Sequence, residues 1–252
     1  MIMLQICSYI MAEIENGKAR NNWIPEAFQI SAQTIARDAV KQFVKTDQVI
    51  GLGSGPMAGA IIREIGKLTS DVKDTLKCIA SSTQIKLEAL IGNLTIVDQN
   101  LIPQIDIVFD GADQVDSHFN MIKGGGGALL KEKVLHSAAK TIVITAESFK
   151  FVETLNRSVP IEVHPFALYM LQDKLHLEET KSELRMLNEG YPYITENGNF
   201  VLDTNFGSIP DVRNKEIELK NIPGVIEVGL FTKHANVYYK AKNDGSFDAL
   251  RL

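Results

Sequence analysis

Three short stretches of this sequence carry residue types that can do chemistry. The first is Asp110-Gly111-Ala112-Asp113, set directly after an apolar run from Ile105 to Phe109. In open parallel sheets, ligands bind beyond the carboxyl ends of the strands. Two carboxylates at this spacing can converge on a polyhydroxy ligand, and crowding of like charge can raise one of their pKa values for acid–base work. The second stretch is Lys123, then Gly124, Gly125, Gly126 and Gly127, then Ala-Leu-Leu-Lys-Glu132. Four consecutive glycines are costly in conformational entropy and make sense where backbone must wrap a ligand. On a helix starting there, Glu132 falls near Leu129 and His136, off the plainly solvated side. A carboxylate beside a glycine-lined pocket is a candidate general base. The third stretch is Gly51-Leu-Gly-Ser54-Gly55, between a strand and a helix. Glycines let the backbone approach an anion, and the first N–H groups of the helix are open to it. The dinucleotide-binding spacing is not met, because position 56 is Pro.

Further candidates are Ser81 and Ser82, which follow an apolar strand and can hold hydroxyls or phosphate, and Lys150, which can meet an anion. By residue type alone each feature also has a plainer reading. The 51–55 segment is a tight turn, the Asp pair a solvated turn, Glu132 an exposed partner of a nearby lysine, Ser82 a helix N-cap and Lys150 a solvated lysine. His118, His136, His164, His176 and His234 are scattered, without a metal-ligand spacing, and read as satisfied or exposed side chains. Cys7 and Cys78 form neither a disulfide framework nor a zinc spacing; Cys78 reads as core, and a reducing compartment fits.

The elements that must position these residues alternate between strand and helix. A helix is expected over Ser31 to Val44, with Ser31 as N-cap and Ile35, Ala39 and Phe43 at helical spacing. A strand at 48–53 runs into the glycine turn, and a helix starts at Pro56, which suits the first helical position. Apolar strands are expected at Leu76–Ala80, Leu94–Val97, Ile105–Phe109 and Thr141–Ala146, with helices at Lys86–Leu90 and Ala128–Ala139 between them. Buried Ile- and Val-rich runs alternating with helices indicate a parallel sheet covered on both faces. After Pro160 the order becomes β-α-β-β-α-β, the ferredoxin-like arrangement: Ile161–Val163, helix Phe166–Leu177, Tyr193–Thr195, Asn199–Asp203, helix Lys215–Lys220 and Val225–Phe231. The expected architecture is a doubly wound α/β domain over 31–158 and 232–252, closed by a strand at Asn236–Lys240, with a smaller α+β domain inserted over 159–231.

The 252 residues carry 26 basic and 31 acidic side chains, a net charge of −5, with no long run of either sign. A non-specific nucleic-acid binder shows a basic excess, so no nucleic-acid partner is expected. Residues 1–30 read as an N-terminal extension: the apolar stretch Met1–Ile14 has no preceding basic residue and no cleavage signature, and is too short to span a membrane. The expectation is a cytoplasmic protein with no membrane partner.

The segment from Asp110 to Asp116, followed by Met121 to Lys133, closely resembles ribose-5-phosphate isomerase type A, and segments from residue 31 to 245 resemble that family in the same order. Among them are the glycine loop at 51–55, the Ser81-Ser82 turn, Pro160–Val163, Asn197-Gly198 and Ile222–Val225. The resemblance implies interconversion of ribose 5-phosphate and ribulose 5-phosphate with no metal or organic cofactor, in a homodimer or homotetramer. It implies that Glu132 is the general base, that Asp110 and Asp113 bind sugar hydroxyls and assist ring opening, and that Lys123 lies near the developing enediolate oxygen. It implies that Ser54, Gly55, Ser81, Ser82, Gly111, Ala112, Gly124, Gly125, Gly126 and Lys150 bind substrate, with Lys150 on the phosphate side.

The first loop departs from the family's Gly-Thr-Gly-Ser-Thr-Ala. Pro56 and Met57 remove two hydroxyls and one N–H, and Gln33 aligns with a lysine often found on the first helix. The phosphate end is therefore expected to be weakened, while the proton-transfer end is complete. Two further readings follow: an isomerase for another sugar or sugar phosphate, and a non-catalytic sugar-phosphate sensor. A sensor has no need of a base beside a polarising lysine.

Overall fold

The computed structural model describes residues 24–98, 104–176 and 180–252; most of the N-terminal segment and Leu177 lie outside the described residues. Its main sheet has six strands in the order β13-β12-β6-β3-β1-β2. These are β1 (Val49–Leu52), β2 (Lys77–Ala80), β3 (Ile105–Gly111), β6 (Ala139–Glu147), β12 (Val237–Ala241) and β13 (Phe247–Arg251). All neighbours are parallel except the edge pair β12–β13. Helices α1 (Gln29–Phe43), α2 (Pro56–Ile65) and α3 (Thr83–Ile91) bury one face, where Ile35, Ile61 and Ile85 pack with Ile107 and Phe109. On the other face Leu135 of α4 (Leu129–Ala138) packs with Ile79 and Val108. Apolar residues turned to both faces are what a parallel sheet requires.

A second, antiparallel sheet has the order β10-β7-β9-β8, from β7 (Val159–Val163), β8 (Lys181–Leu184), β9 (Phe200–Asn205) and β10 (Val225–Val228). Helices α5 (Leu168–His176) and α6 (Val212–Lys220) complete the β-α-β-β-α-β order, with β8 in the place expected for Tyr193–Thr195, which pairs only at Ile194 against Phe200, and Leu171, Leu175 and Leu219 join its core. A small third sheet, β11-β5-β4, is made of β4 (Gln114–Val115), β5 (Met121–Ile122) and β11 (Leu230–Phe231).

Several elements differ from expectation. Ser31 does not cap α1: the helix starts two residues earlier, and Ser31 Oγ donates to Phe28 O (3.0 Å). Leu94–Val97 pairs only at Ile96, against Cys78. The run Val225–Phe231 is two strands in two sheets, divided at Gly229. The Gly229 N–H donates to Pro160 O (2.7 Å), while its carbonyl accepts from Lys123 N (2.9 Å), so the pairing partner changes there. A Cβ at Gly229 would lie 2.8 Å from Pro160 O, which excludes other residues. Strand β13 lies outside the expected elements.

Candidate active site

The chain leaves β1 and β3 toward opposite sides of the sheet, so the space beyond their carboxyl ends is the topological switch point. After β1, Gly53 donates its N–H to Phe109 O (2.8 Å), and a Cβ on Gly53 would overlap the Asp110 carboxyl. This close approach brings Ser54 against Asp110: Ser54 N donates to Asp110 Oδ1 (3.0 Å) and Ser54 Oγ donates to Glu132 Oε1. Gly55, at φ +96°, turns the chain into α2 with Pro56 first in the helix.

Asp110, Lys123, Glu132 and His136 form one buried cluster, each at most 2% exposed. Lys123 Nζ lies 2.9 Å from Asp110 Oδ2 and 3.2 Å from Glu132 Oε2, and donates to Gly111 O (2.5 Å). His136 Nε2 lies 2.9 Å from the same Asp110 Oδ2. Burial pushes the Glu132 carboxyl up, the Asp110 charge adds to this, and Lys123 and Ser54 offset only part, so it stands at about 7 instead of 4.5. Burial also acts to raise Asp110, but Lys123 and His136 overcome it and hold Asp110 below the usual carboxylate range. Burial alone would lower Lys123; Asp110 and Glu132 instead hold it protonated, above its ordinary value. One carboxylate therefore stays ionised while its neighbour is poised near neutrality, which is how acid–base roles are divided between close groups.

Lys123 and Glu132 of this cluster lie on the floor of a cavity of about 780 Å³. The glycine loop is its wall. Gly124 and Gly127 take positive φ (+101° and +77°), and Gly125 N donates to Asp113 Oδ2 (2.7 Å). The second sheet holds this loop from behind. Arg185 NH1 donates to Gly124 O (2.9 Å) and Gly125 O (3.1 Å), while its other nitrogens grip Asp203; Tyr193 OH donates to Gly126 O (3.2 Å). Glu196 spans the mouth, accepting from Thr83 N at the start of α3 (2.7 Å) and pairing with Lys131 on α4 (2.7 Å).

The family model for ribose 5-phosphate isomerase A (phosphoriboisomerase A) matches residues 77–245. A ribose-5-phosphate isomerase A of Thermococcus kodakarensis is 36% identical over 217 residues, covering 84% of this chain and 94% of that protein. The chain belongs to the ribose 5-phosphate isomerase A family. A solved D-ribose-5-phosphate isomerase in complex with phospho-erythronic acid superposes with a TM-score of 0.82 at 35% identity, covering 88% of this chain and 98% of the other. The ribose 5-phosphate isomerase A of Methanocaldococcus jannaschii gives 0.81 at 32% identity, with the same coverage of both chains.

Of the residues that the isomerase resemblance singled out, Ser54, Gly55, Ser82, Gly111, Ala112, Asp113, Lys123, Gly124, Gly125, Gly126, Glu132 and Lys150 all line the cavity. Asp110 does not. It is fully buried beneath the lining, with its oxygens taken by Ser54 N, Gly111 N, Lys123 and His136, so it holds the site together and does not reach sugar hydroxyls. Ser81 is also buried and off the lining, because its N–H pairs with Leu52 O and its side chain turns inward. Ser82 caps α3 by accepting from Ile85 N (3.2 Å) and also borders the cavity. Lys150 pairs with Glu147 (2.7 Å) at the rim. Met57 is buried in the core at 3% exposure and also borders the cavity, whereas Gln33 lines a separate, smaller cavity between α1 and α2, so of these two departures only Met57 lies at the site. Sequence reasoning missed Arg185, Tyr193 and Glu196, whose approach depends on how the second sheet folds over the first, and His136, whose helical spacing beside Glu132 was the available signal. Among the described residues no cluster of His, Cys, Asp or Glu could hold a metal, and no helix is long and apolar enough to cross a membrane.

Proposed function

We propose that this chain interconverts D-ribose 5-phosphate and D-ribulose 5-phosphate, with Glu132 shuttling the proton. The observation that carries this reading is a buried Glu132 poised near neutrality, held by Ser54 and Lys123 on a glycine-lined cavity. In the open-chain aldose, the Glu132 carboxylate takes the C2 proton, and the electron pair moves to form an enediolate across C1 and C2. Lys123 donates to Gly111 O and pairs with both Asp110 and Glu132. When Glu132 becomes neutral its charge no longer holds Lys123, and the ammonium is available to the new oxyanion at the moment charge develops. The glutamic acid then returns the proton to C1, the hydroxyl proton passes from O2 to O1, and the ketose results. Asp113, on the lining, is the carboxylate for the sugar hydroxyls and ring opening. The N-terminus of α2, at Gly55 and Pro56, with Ser82 and Lys150, is the phosphate end in this reading.

The same reading takes the protein to be cytoplasmic, where phosphorylated sugars are retained, and to be a homodimer or homotetramer. Phe166 and Tyr169, 96% and 85% exposed, supply apolar surface for self-association. Purified protein given ribose 5-phosphate in the presence of EDTA is expected to produce the ketose, detected directly. A folded protein without turnover overturns the substrate assignment, and a panel of other sugar phosphates then replaces it.

A further inference from the structure

His136 is buried, its Nε2 lies 2.9 Å from Asp110 Oδ2, and its Nδ1 has no hydrogen-bond partner among the described residues. The charged groups around it are Asp110 of β3, Lys123 after β5, Lys233 after β11 (Nζ to His136 O, 2.5 Å) and Glu132 one turn earlier on α4. The edge of Phe231 closes the remaining side, with ring centroids 5.3 Å apart. An ionised Asp110 can only accept, so Nε2 must carry the proton. A second proton on Nδ1 would leave a buried N–H unpaired beside two lysines. Burial and those lysines hold the imidazole below its ordinary pKa, so it is neutral with Nδ1 bare.

Asp110 Oδ2 is thus shared between His136 and Lys123, each at 2.9 Å. We propose that His136 is a positioning residue for the isomerisation: its Nε2–H fixes and partly neutralises Asp110, which leaves Lys123 free to divide itself between Asp110 and Glu132. Without that donor, Asp110 draws Lys123 more strongly, and Glu132 faces a fuller negative charge with a weaker cation. The inference rests on the isomerase reading for its functional meaning; the hydrogen bond it depends on does not.

Two measurements test it. His136→Phe fills the volume without a donor, and is expected to move the acid limb of kcat/KM upward by about one pH unit, with about a tenfold loss below the limb and little change in KM. His136→Gln reaches Asp110 with an amide N–H and is expected to restore most of the native profile. A Phe variant whose profile superimposes on that of the native enzyme overturns the proposal, since a merely space-filling histidine would alter stability and leave the pH dependence alone. Loss of the profile in both variants alike also overturns it. Nitrogen NMR of the imidazole in the native protein, independent of whether any variant folds, is expected to show Nε2 protonated and Nδ1 bare through neutral pH. A doubly protonated ring, or the opposite tautomer, overturns the assignment. Absence of turnover in the native enzyme would overturn the isomerase reading instead, so the two failures are distinguishable.

Discussion

Glu132 has to be ionised to accept a proton, yet it is buried beside a second carboxylate. Its pKa of about 7 records that conflict. Because the ionised form is the base, kcat/KM is expected to fall about tenfold per unit as pH drops below about 7, not below the 4.5 of an ordinary glutamate. A pH–rate profile with its acid limb near the ordinary value would contradict this. The same shift sets a stability effect of definite sign. A carboxyl raised on folding contributes stability that is full below its unfolded pKa and is lost as pH rises through about 7. Glu132→Gln mimics the neutral form. It is expected to remove turnover, by at least about 100-fold, while raising the unfolding free energy at pH 8 by up to about 3 kcal/mol. The gain should vanish as pH approaches 4.5. Calorimetry across that range checks it; a destabilised variant at pH 8 would show that the burial argument is wrong. Asp110 runs the opposite way: held low by Lys123 and His136 against burial, it contributes stability that is lost on acidification.

At the level of elements, the glycine loop and the strand ends decide the geometry. A Cβ on Gly125 would lie 2.8 Å from Asp113 Oδ1, so Gly125→Ala must push loop and carboxylate apart. Activity is expected to fall about 100-fold, with the melting temperature nearly unchanged, because displacement of about an ångström at the reacting centre has that effect. Met57→Thr, which restores the hydroxyl common in the family, is expected to destabilise by about 1–3 kcal/mol because the side chain is buried in the core, and its KM tests whether position 57, which also borders the cavity, contacts phosphate. A lower KM would show that the hydroxyl reaches the phosphate. This contrast marks what the sequence made legible. Ile- and Val-rich runs between helices revealed the parallel sheet, and the segments holding Asp110, Lys123 and Glu132 pointed to residues that the fold gathers into one buried cluster. Which way a side chain points did not follow: alternation cannot distinguish Asp110 beneath the cavity from Asp113 on it. Nor can a continuous apolar run such as Val225–Phe231 announce that its partner strand changes at Gly229. Strand β13 escaped notice because its alternation is half-exposed, at the edge of the sheet.

For the molecule as a whole, Asp110 at the end of β3, Lys123 after β5 and Glu132 on α4 form the buried cluster, and the second sheet braces the loop in front of them. Arg185 is the clearest brace, with Asp203 behind it and two glycine carbonyls before it. Arg185→Met is expected to lower kcat/KM about tenfold and speed amide hydrogen exchange at 124–127, while exchange in β3 stays as in the native protein. Unchanged exchange in the loop would mean that its own turns suffice to hold it. The nesting of one body within the other also has a consequence for synthesis. Strand β12 pairs with β6, yet the whole antiparallel body lies between them in the chain. On the ribosome, β6 therefore waits with an open edge, its backbone groups unpaired, until residues 237–241 emerge. A nascent chain stalled after the inserted body is the species most prone to pair with a neighbour, and release of the last strand is what makes it safe.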